Sequence, residues 1–414
     1  MTAEVDGRLR ARSEADRTRP ADAGRAAGRG GGGVVRRRTV LVIGPTPPPY
    51  QGMAVFTEML LRSPVLARAY DVVHLDTADR RGLENMGRFD ARNVLLALRH
   101  AAALAALVVR RRPDVIYVEV AQNEWGYLRD AVFIAIGRAF GRRVVTHLHG
   151  SHFRAFYETA RPPFRWVVRR TSRWLSGALV LGEGLRGLYR GLLPDDRVMV
   201  APNGIADPFP EGAPTRAGRD DGPVTVAYLG ALFRPKGFLE LLRAAALLKD
   251  AVPRLRFVFA GAWVSEDERA DAAAWVAREG LERVVAFPGV VSGEGKRTFL
   301  READIFVFPG YQAEGLPLVV LEAMAAALPV VSTPVGAIPD AVRDGVTGLL
   351  VPPCDAAALA GAIRRLAEDA ALRERMGRAG RERFLEEFTD GRCVERLVMA
   401  LDRICEGIEG AGSA

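Results

Sequence analysis

The chain has 414 residues, 58 Lys and Arg against 50 Asp and Glu, three Cys and 49% hydrophobic residues, enough for two cores of ordinary size. Charged residues at 26% and aromatics at 7% exclude collagen-like, coiled-coil and wholly disordered chains. Residues 1–38 hold ten Arg and five acids, so five of the eight net positive charges sit there, and the surplus left for the rest has little reach beyond a Debye length of ~8 Å. The balance therefore indicates no specific nucleic-acid partner.

In chain order, the Gly/Ala/Arg-rich tail, residues 1–38, is expected to be disordered, and it lacks the apolar stretch of a secretory signal. Short apolar runs then alternate with helix-length segments, the pattern of βαβ units and parallel sheets. The first set is Val40–Ile43, Val72–Leu75, Val115–Val118, Val144–His147, Leu179–Leu181 and Val198–Val200. Val94 to Val109 is the longest apolar stretch, interrupted by Arg99 and His100; at ~16 residues it is too short to span a bilayer and reads as a buried helix. Residues 202–223 have five Pro and four Gly without periodicity, the composition of a linker. The second set is Val224–Leu229, Leu255–Ala260, Val284–Phe287, Ile305–Phe308, Val330–Ser332 and Leu349–Val351, followed by helices only. The expectation is an α/β protein with a first domain over 39–201, a second over 224–390, and a final helix in 391–414 that can cross back to the first. Cys354, Cys393 and Cys405 are too few and scattered for a disulfide framework or a Cys-based metal site, which suits a reducing cytosol.

Such sheets bind ligands beyond the carboxyl ends of their strands. After the run 305–308 comes Pro309-Gly310-Tyr311-Gln312-Ala313-Glu314-Gly315-Leu316-Pro317, opening an apolar helix that carries Glu322. Pro317 suits the first helical position, and free N–H groups behind it suit a phosphate. Glu322, five residues on, lies ~7.5 Å further along, within reach of a ribose diol. After 224–229 comes Gly230-Ala231-Leu232-Phe233-Arg234-Pro235-Lys236-Gly237, where Arg234 and Lys236 can neutralise a diphosphate. Lys occurs only at 236, 249 and 296, against 55 Arg, so a Lys in this loop departs from the chain's own bias. After 144–147 come Leu148, His149, Gly150, Ser151 and His152. His147 and His149 share a strand face, which makes a zinc pair conceivable, but no nearby Cys or carboxylate completes the set. Gly44-Pro45-Thr46-Pro47-Pro48-Pro49-Tyr50-Gln51-Gly52-Met53 follows the first strand, with no GxGxxG for a nicotinamide cofactor. Finally, Phe164, Val167, Val168, Thr171, Trp174 and Leu175 fall at helical spacing among Arg165, Arg169, Arg170 and Arg173. Such a helix can lie on a membrane, or bury its apolar side and solvate its Arg.

The text EGLPLVVLEAMAAALPVVSTPVG, with its E-x7-E spacing, resembles the signature of the family-4 retaining glycosyltransferases of the GT-B fold (glycosyl transferases group 1). The likeness runs as a pattern of elements over most of 39–390 and is specific chiefly in 309–340. It implies two Rossmann-like α/β domains facing across a cleft, and transfer of a hexosyl unit from a UDP- or GDP-linked sugar to an acceptor hydroxyl with retention. It also implies a carbohydrate or lipid-linked acceptor in polysaccharide, glycolipid or glycoconjugate biosynthesis. By the resemblance, Glu322 binds the ribose, Glu314 contacts the transferred sugar, and Gly230, Arg234, Lys236, Gly315, Leu316 and Pro317 hold the donor. His149 faces the donor sugar from the first domain, His147 and His152 are structural or acceptor-facing, and Gly52 and Met53 belong to the acceptor-side loop. Ala231 stands where the family usually has Arg, a gap Arg234 can fill.

No DxD occurs, so neither a chelating metal nor another cofactor is expected, and the leaving diphosphate falls to Lys236, Arg234 and the helix before Glu322. The enzyme is expected in the cytoplasm, with at most peripheral contact at the inner membrane face. The rival readings are a GT-B protein with another reaction, such as a phosphorylase or epimerase, and an inert scaffold, for which Ala231 is the sequence support.

Overall fold

The computed structural model describes residues 36–48, 52–80, 91–214, 222–312 and 314–407. The tail expected over 1–38 thus lies outside the described residues up to position 35, as do Pro49, Tyr50 and Gln51. The first half runs β1 (Thr39–Gly44), α1 (Gly52–Arg62), α2 (Pro64–Ala69), β2 (Asp71–Asp76), α3 (Ala91–Arg111), β3 (Val115–Glu119), α4 (Glu124–Ala139), β4 (Arg143–His147), α5 (Phe153–Thr159), α6 (Pro162–Ser172), β5 (Gly177–Val180) and β6 (Val198–Val200). The second runs β7 (Val224–Leu229), α7 (Phe238–Leu248), β8 (Leu255–Ala260), α8 (Glu266–Glu279), β9 (Val285–Gly289), α9 (Gly293–Glu302), β10 (Ile305–Phe308), α10 (Leu318–Ala325), β11 (Val330–Ser332), α11 (Ile338–Ala341), β12 (Gly348–Leu350), α12 (Ala356–Glu368), α13 (Ala370–Glu387) and α14 (Asp390–Glu406).

Each half builds one six-stranded parallel sheet, ordered β2-β1-β3-β4-β5-β6 and β12-β11-β10-β7-β8-β9. Helices cover both faces, so the central strands are buried on both sides and read as unbroken Val/Ile runs rather than alternations. In the first sheet Leu41, Ile43, Ile116 and Val144 point to the face covered by α3, α4 and α6. The intervening Val40, Val42, Val115 and Val145 point to the face covered by α1, α2 and α14. The strand order reverses between β1 and β3, and again between β7 and β10, opening a crevice at the carboxyl end of each sheet. These ends meet: a Cβ on Gly315, after β10, would lie 2.2 Å from the carbonyl oxygen of His149, after β4.

Two sequence expectations need correction. The stretch Val94–Val109 is helical, but among its described side chains only Leu104 and Val108 are buried, with Leu95 and Leu98 59% and 62% exposed. A helix on one face of a sheet touches it along a single stripe, so apolar composition all round does not imply burial all round. The stretch that composition marks as a linker is seated over its described part, 202–214. Asp207 takes two hydrogen bonds of 2.6 Å from Arg381, Phe209 is buried, and Ile205 bridges Thr389. Pro and Gly there shape a fixed path rather than a loose one.

α14 packs on α2 and returns to the first sheet, burying Cys393, Val394, Leu397, Leu401 and Ile404. Its start is capped by Thr389, and Asp402 near its end accepts from Tyr70 Oη at 2.6 Å.

Candidate active site

In the second half, two loops are tied together. Gly237 has φ +82° and a Cβ there would lie 2.1 Å from the carbonyl oxygen of Pro309, so only glycine permits this approach. The carbonyl of Pro235 accepts from the N–H groups of Tyr311 and Gln312 at 3.0 and 3.3 Å. Lys236, in a short 3-10 turn, thereby reaches across to the Glu314 carboxylate and pairs with it. Gly230 follows β7, its N–H donating to the Ala260 carbonyl.

Pro317 is the N-cap of α10 rather than its first helical residue, because its ψ of 125° keeps it extended; the helix starts at Leu318. Leu316 is buried beneath it. Glu322 lies one turn inside α10, its Oε1 2.5 Å from Lys296 Nζ and its Oε2 buried without a partner. Burial raises its pKa, against the nearby Lys296 ammonium, which lowers it. Two of the chain's three lysines thus pair with the two spaced glutamates. Motif reading did not single out Lys296, although the rarity of Lys could have flagged it.

From the first half comes a buried polar chain. The carbonyl of Leu316 accepts from Asn203 Nδ2 at 2.9 Å, which fixes the amide so that Oδ1 accepts from His149 Nδ1–H at 3.2 Å. His149 Nε2 is left with its lone pair, has no hydrogen-bond partner, and lies 4.0 Å from Glu119 Oε1. Burial lowers the His149 pKa to about 4, while burial pushes Glu119 up to about 8, so near neutrality the two form no ion pair. Geometry agrees: Thr57 has one hydroxyl hydrogen, yet Oγ1 lies 3.0 Å from the Met53 carbonyl and 2.7 Å from Glu119 Oε1. A protonated Glu119 whose Oε1–H donates to Thr57, while Thr57 donates to Met53, accounts for both short contacts and leaves only Glu119 Oε2 buried without a partner. Gly44 makes room, since a Cβ there would lie 2.9 Å from the Glu119 carboxyl. Glu119 and Asn203 belong to no motif that the sequence reading used.

Other expected residues sit elsewhere. His147 is closed to metal, its Nδ1 2.7 Å from Tyr117 Oη and its Nε2 3.0 Å from the Ala201 carbonyl. Arg234 is half-exposed and its guanidinium pairs with Asp271 and Glu268 on α8, and Ala231 is itself exposed. His152 is exposed at the start of α5. Gly52 begins α1 with open space where a Cβ would stand, so local packing does not require glycine there; Met53 joins the site through its carbonyl. Among the described residues no three His, Cys, Asp or Glu side chains cluster to hold a metal ion.

The two Rossmann-like halves, one carrying Lys236, Glu314 and Glu322 and the other His149, have the architecture of the GT-B fold. The chain superposes on HepE of Anabaena in complex with UDP and glucose with a TM-score of 0.65 at 17% identity, covering 88% of this chain and 100% of that one. For sucrose-phosphate synthase of Thermosynechococcus elongatus the values are 0.67, 20%, 89% and 99%. Residues 213–383 match the family model described as glycosyl transferases group 1. Over 220 residues the chain is 33% identical to a phosphatidyl-myo-inositol mannosyltransferase of Mycobacterium leprae (strain TN), covering 53% of this chain and 57% of that relative. It is 30% identical over 258 residues to an alpha-D-kanosaminyltransferase of Streptomyces kanamyceticus, covering 58% and 65%. The chain therefore spans little more than half the length of the first relative.

Proposed function

We propose that this chain is a family-4 retaining glycosyltransferase that moves a hexosyl unit from a nucleotide sugar to an acceptor hydroxyl in the cytoplasm, in the making of a polysaccharide, glycolipid or glycoconjugate. The observation that carries the reading is the pairing of Glu314 with Lys236 and of Glu322 with Lys296 beside the start of α10, facing His149. The buried Oε2 of Glu322 is an acceptor that a ribose hydroxyl would satisfy, with Lys296 holding the other oxygen. A diphosphate next to α10 meets free helix N–H groups and competes with Glu314 for the Lys236 ammonium, which frees Glu314 for the sugar. The bond from the anomeric carbon to phosphate then breaks, its electron pair leaving with the nucleoside diphosphate. The acceptor oxygen bonds the same face of that carbon, and its proton passes to the departing phosphate oxygen. UDP, GDP and lipid-linked or free carbohydrate acceptors are the ligands to screen, UDP first because the HepE complex holds it.

Calorimetry with UDP and GDP tests the site. Glu322→Ala should weaken the preferred nucleotide by ~1.5–3 kcal/mol through loss of charged hydrogen bonds. Unchanged affinity would remove Glu322 from the site. The exposed Ala231, with Arg234 turned to α8, favours the inert-scaffold reading; hydrolysis of the donor by the purified chain decides against it.

A further inference from the structure

We propose that the outer face formed by α3, α4 and α6 is a docking surface for an anionic lipid bilayer. The inference is independent of the glycosyltransferase reading, because none of these residues belongs to the nucleotide site.

α3 is 21 residues long, ~31 Å by helical rise, and contains no acidic residue. Over Arg92–Arg111 it is long and apolar enough to cross a bilayer, longer than the apolar stretch in the sequence suggested. It cannot cross one here, since Leu104 and Val108 are buried in the first domain's core and Arg99 interrupts the stretch. The opposite side is a continuous exposed stripe: Leu95, Leu98, Ala102, Ala106 and Val109 recur at steps of three and four residues, which is one line along a helix. Exposed Arg92 and Arg99 flank that line, and exposed Arg110 and Arg111 end it.

The face continues sideways. α3 packs on α4 and α4 on α6, where Trp166 is 67% exposed beside the exposed Arg165, Arg169 and Arg170. Residues 160–176 contain no Asp or Glu. The apolar side expected for this helix is indeed inward, with Val168 and Thr171 buried, so Trp166 and the arginines are what it offers outward. Soluble proteins rarely leave an apolar line of this length uncovered. Charge selects the occupant: α3 and α6 offer basic residues without acidic ones. An apolar stripe edged by Arg and an exposed Trp matches the headgroup region of an anionic leaflet, where alkyl groups enter the acyl boundary and guanidinium groups meet phosphates.

The test is flotation of the full chain with vesicles of phosphatidylcholine alone and of equal phosphatidylcholine and phosphatidylglycerol. Binding to the anionic vesicles only, weakening with salt, is the expected result. Arg110→Gln with Arg111→Gln should cost roughly fivefold in binding per charge removed. Leu95→Ser with Leu98→Ser should abolish flotation while thermal unfolding and nucleotide affinity stay as in the parent, which separates this surface from the cleft. No flotation, or equal flotation on neutral vesicles, overturns the proposal. So does a dimer in light scattering that the Leu95 and Leu98 substitutions dissolve, because a second copy of the chain would then be the occupant.

Discussion

Glu119 shows how one buried side chain can leave a signature in bulk stability. It keeps its proton in the folded protein up to about pH 8, against an ordinary value of 4.5, so the folded state binds more protons across that window and stability falls as pH rises through it. His149 works in the opposite sense: lowered from 6.5 to about 4, it favours folding above 6.5 and that contribution is lost as pH falls through 4. Of this pair, only Glu119 acts between about 6.5 and 8. Glu119→Gln should remove a decline in urea midpoint that the parent shows between those two pH values. Parallel declines in both proteins would mean that Glu119 is ionised when folded. Nothing local in the sequence announces this residue, because its character depends on Thr57 and Gly44, which only the sheet order brings beside it. Glu314 and Lys236 could be singled out because each follows a strand within a short loop, and Glu322 because it stands at a fixed spacing along the helix that such a loop opens. The carboxylates that pair with Arg234, Glu268 and Asp271, could not be read from its loop because they sit on α8, one βα unit later.

Among elements, strands were the most legible, since parallel strands buried on both faces leave continuous apolar runs, and the observed ends differ from the expected ones by two residues at most. Helix environment was less legible, as α3 demonstrates. The loop before α10 combines both lessons: its glycine was visible, but its purpose was not. Gly315 lets that loop touch the His149 carbonyl and the Leu181 side chain. Gly315→Ala places a methyl 2.2 Å from a backbone oxygen that cannot rotate away, so the two halves must move apart locally. We expect a loss of about 1–3 kcal/mol in stability and a fall in turnover. Unfolding and transfer assays at parental level would show that the contact is dispensable.

For the molecule as a whole, the proposed function predicts that variants on the two sides of the cleft separate binding from rate. Lys236→Ala should lower turnover by exposing charge on the departing diphosphate, and transfer should survive excess EDTA; activity lost on chelation and restored by Mg²⁺ would place that charge on a metal instead. His149→Ala, altered on the half opposite Glu322, should depress turnover far more than nucleoside diphosphate affinity, compared by steady-state assay and calorimetry; equal losses would assign it to ground-state binding. The return of α14 to the first sheet has a consequence for how such a molecule can be taken apart. The first half is sewn from both ends of the chain, and its partner is in effect an insertion between residues that meet at the Ile205–Thr389 bridge. A chimera with another GT-B protein made by one cut would leave Cys393, Val394, Leu397 and Leu401 facing a foreign surface, so exchange of halves needs two junctions placed side by side.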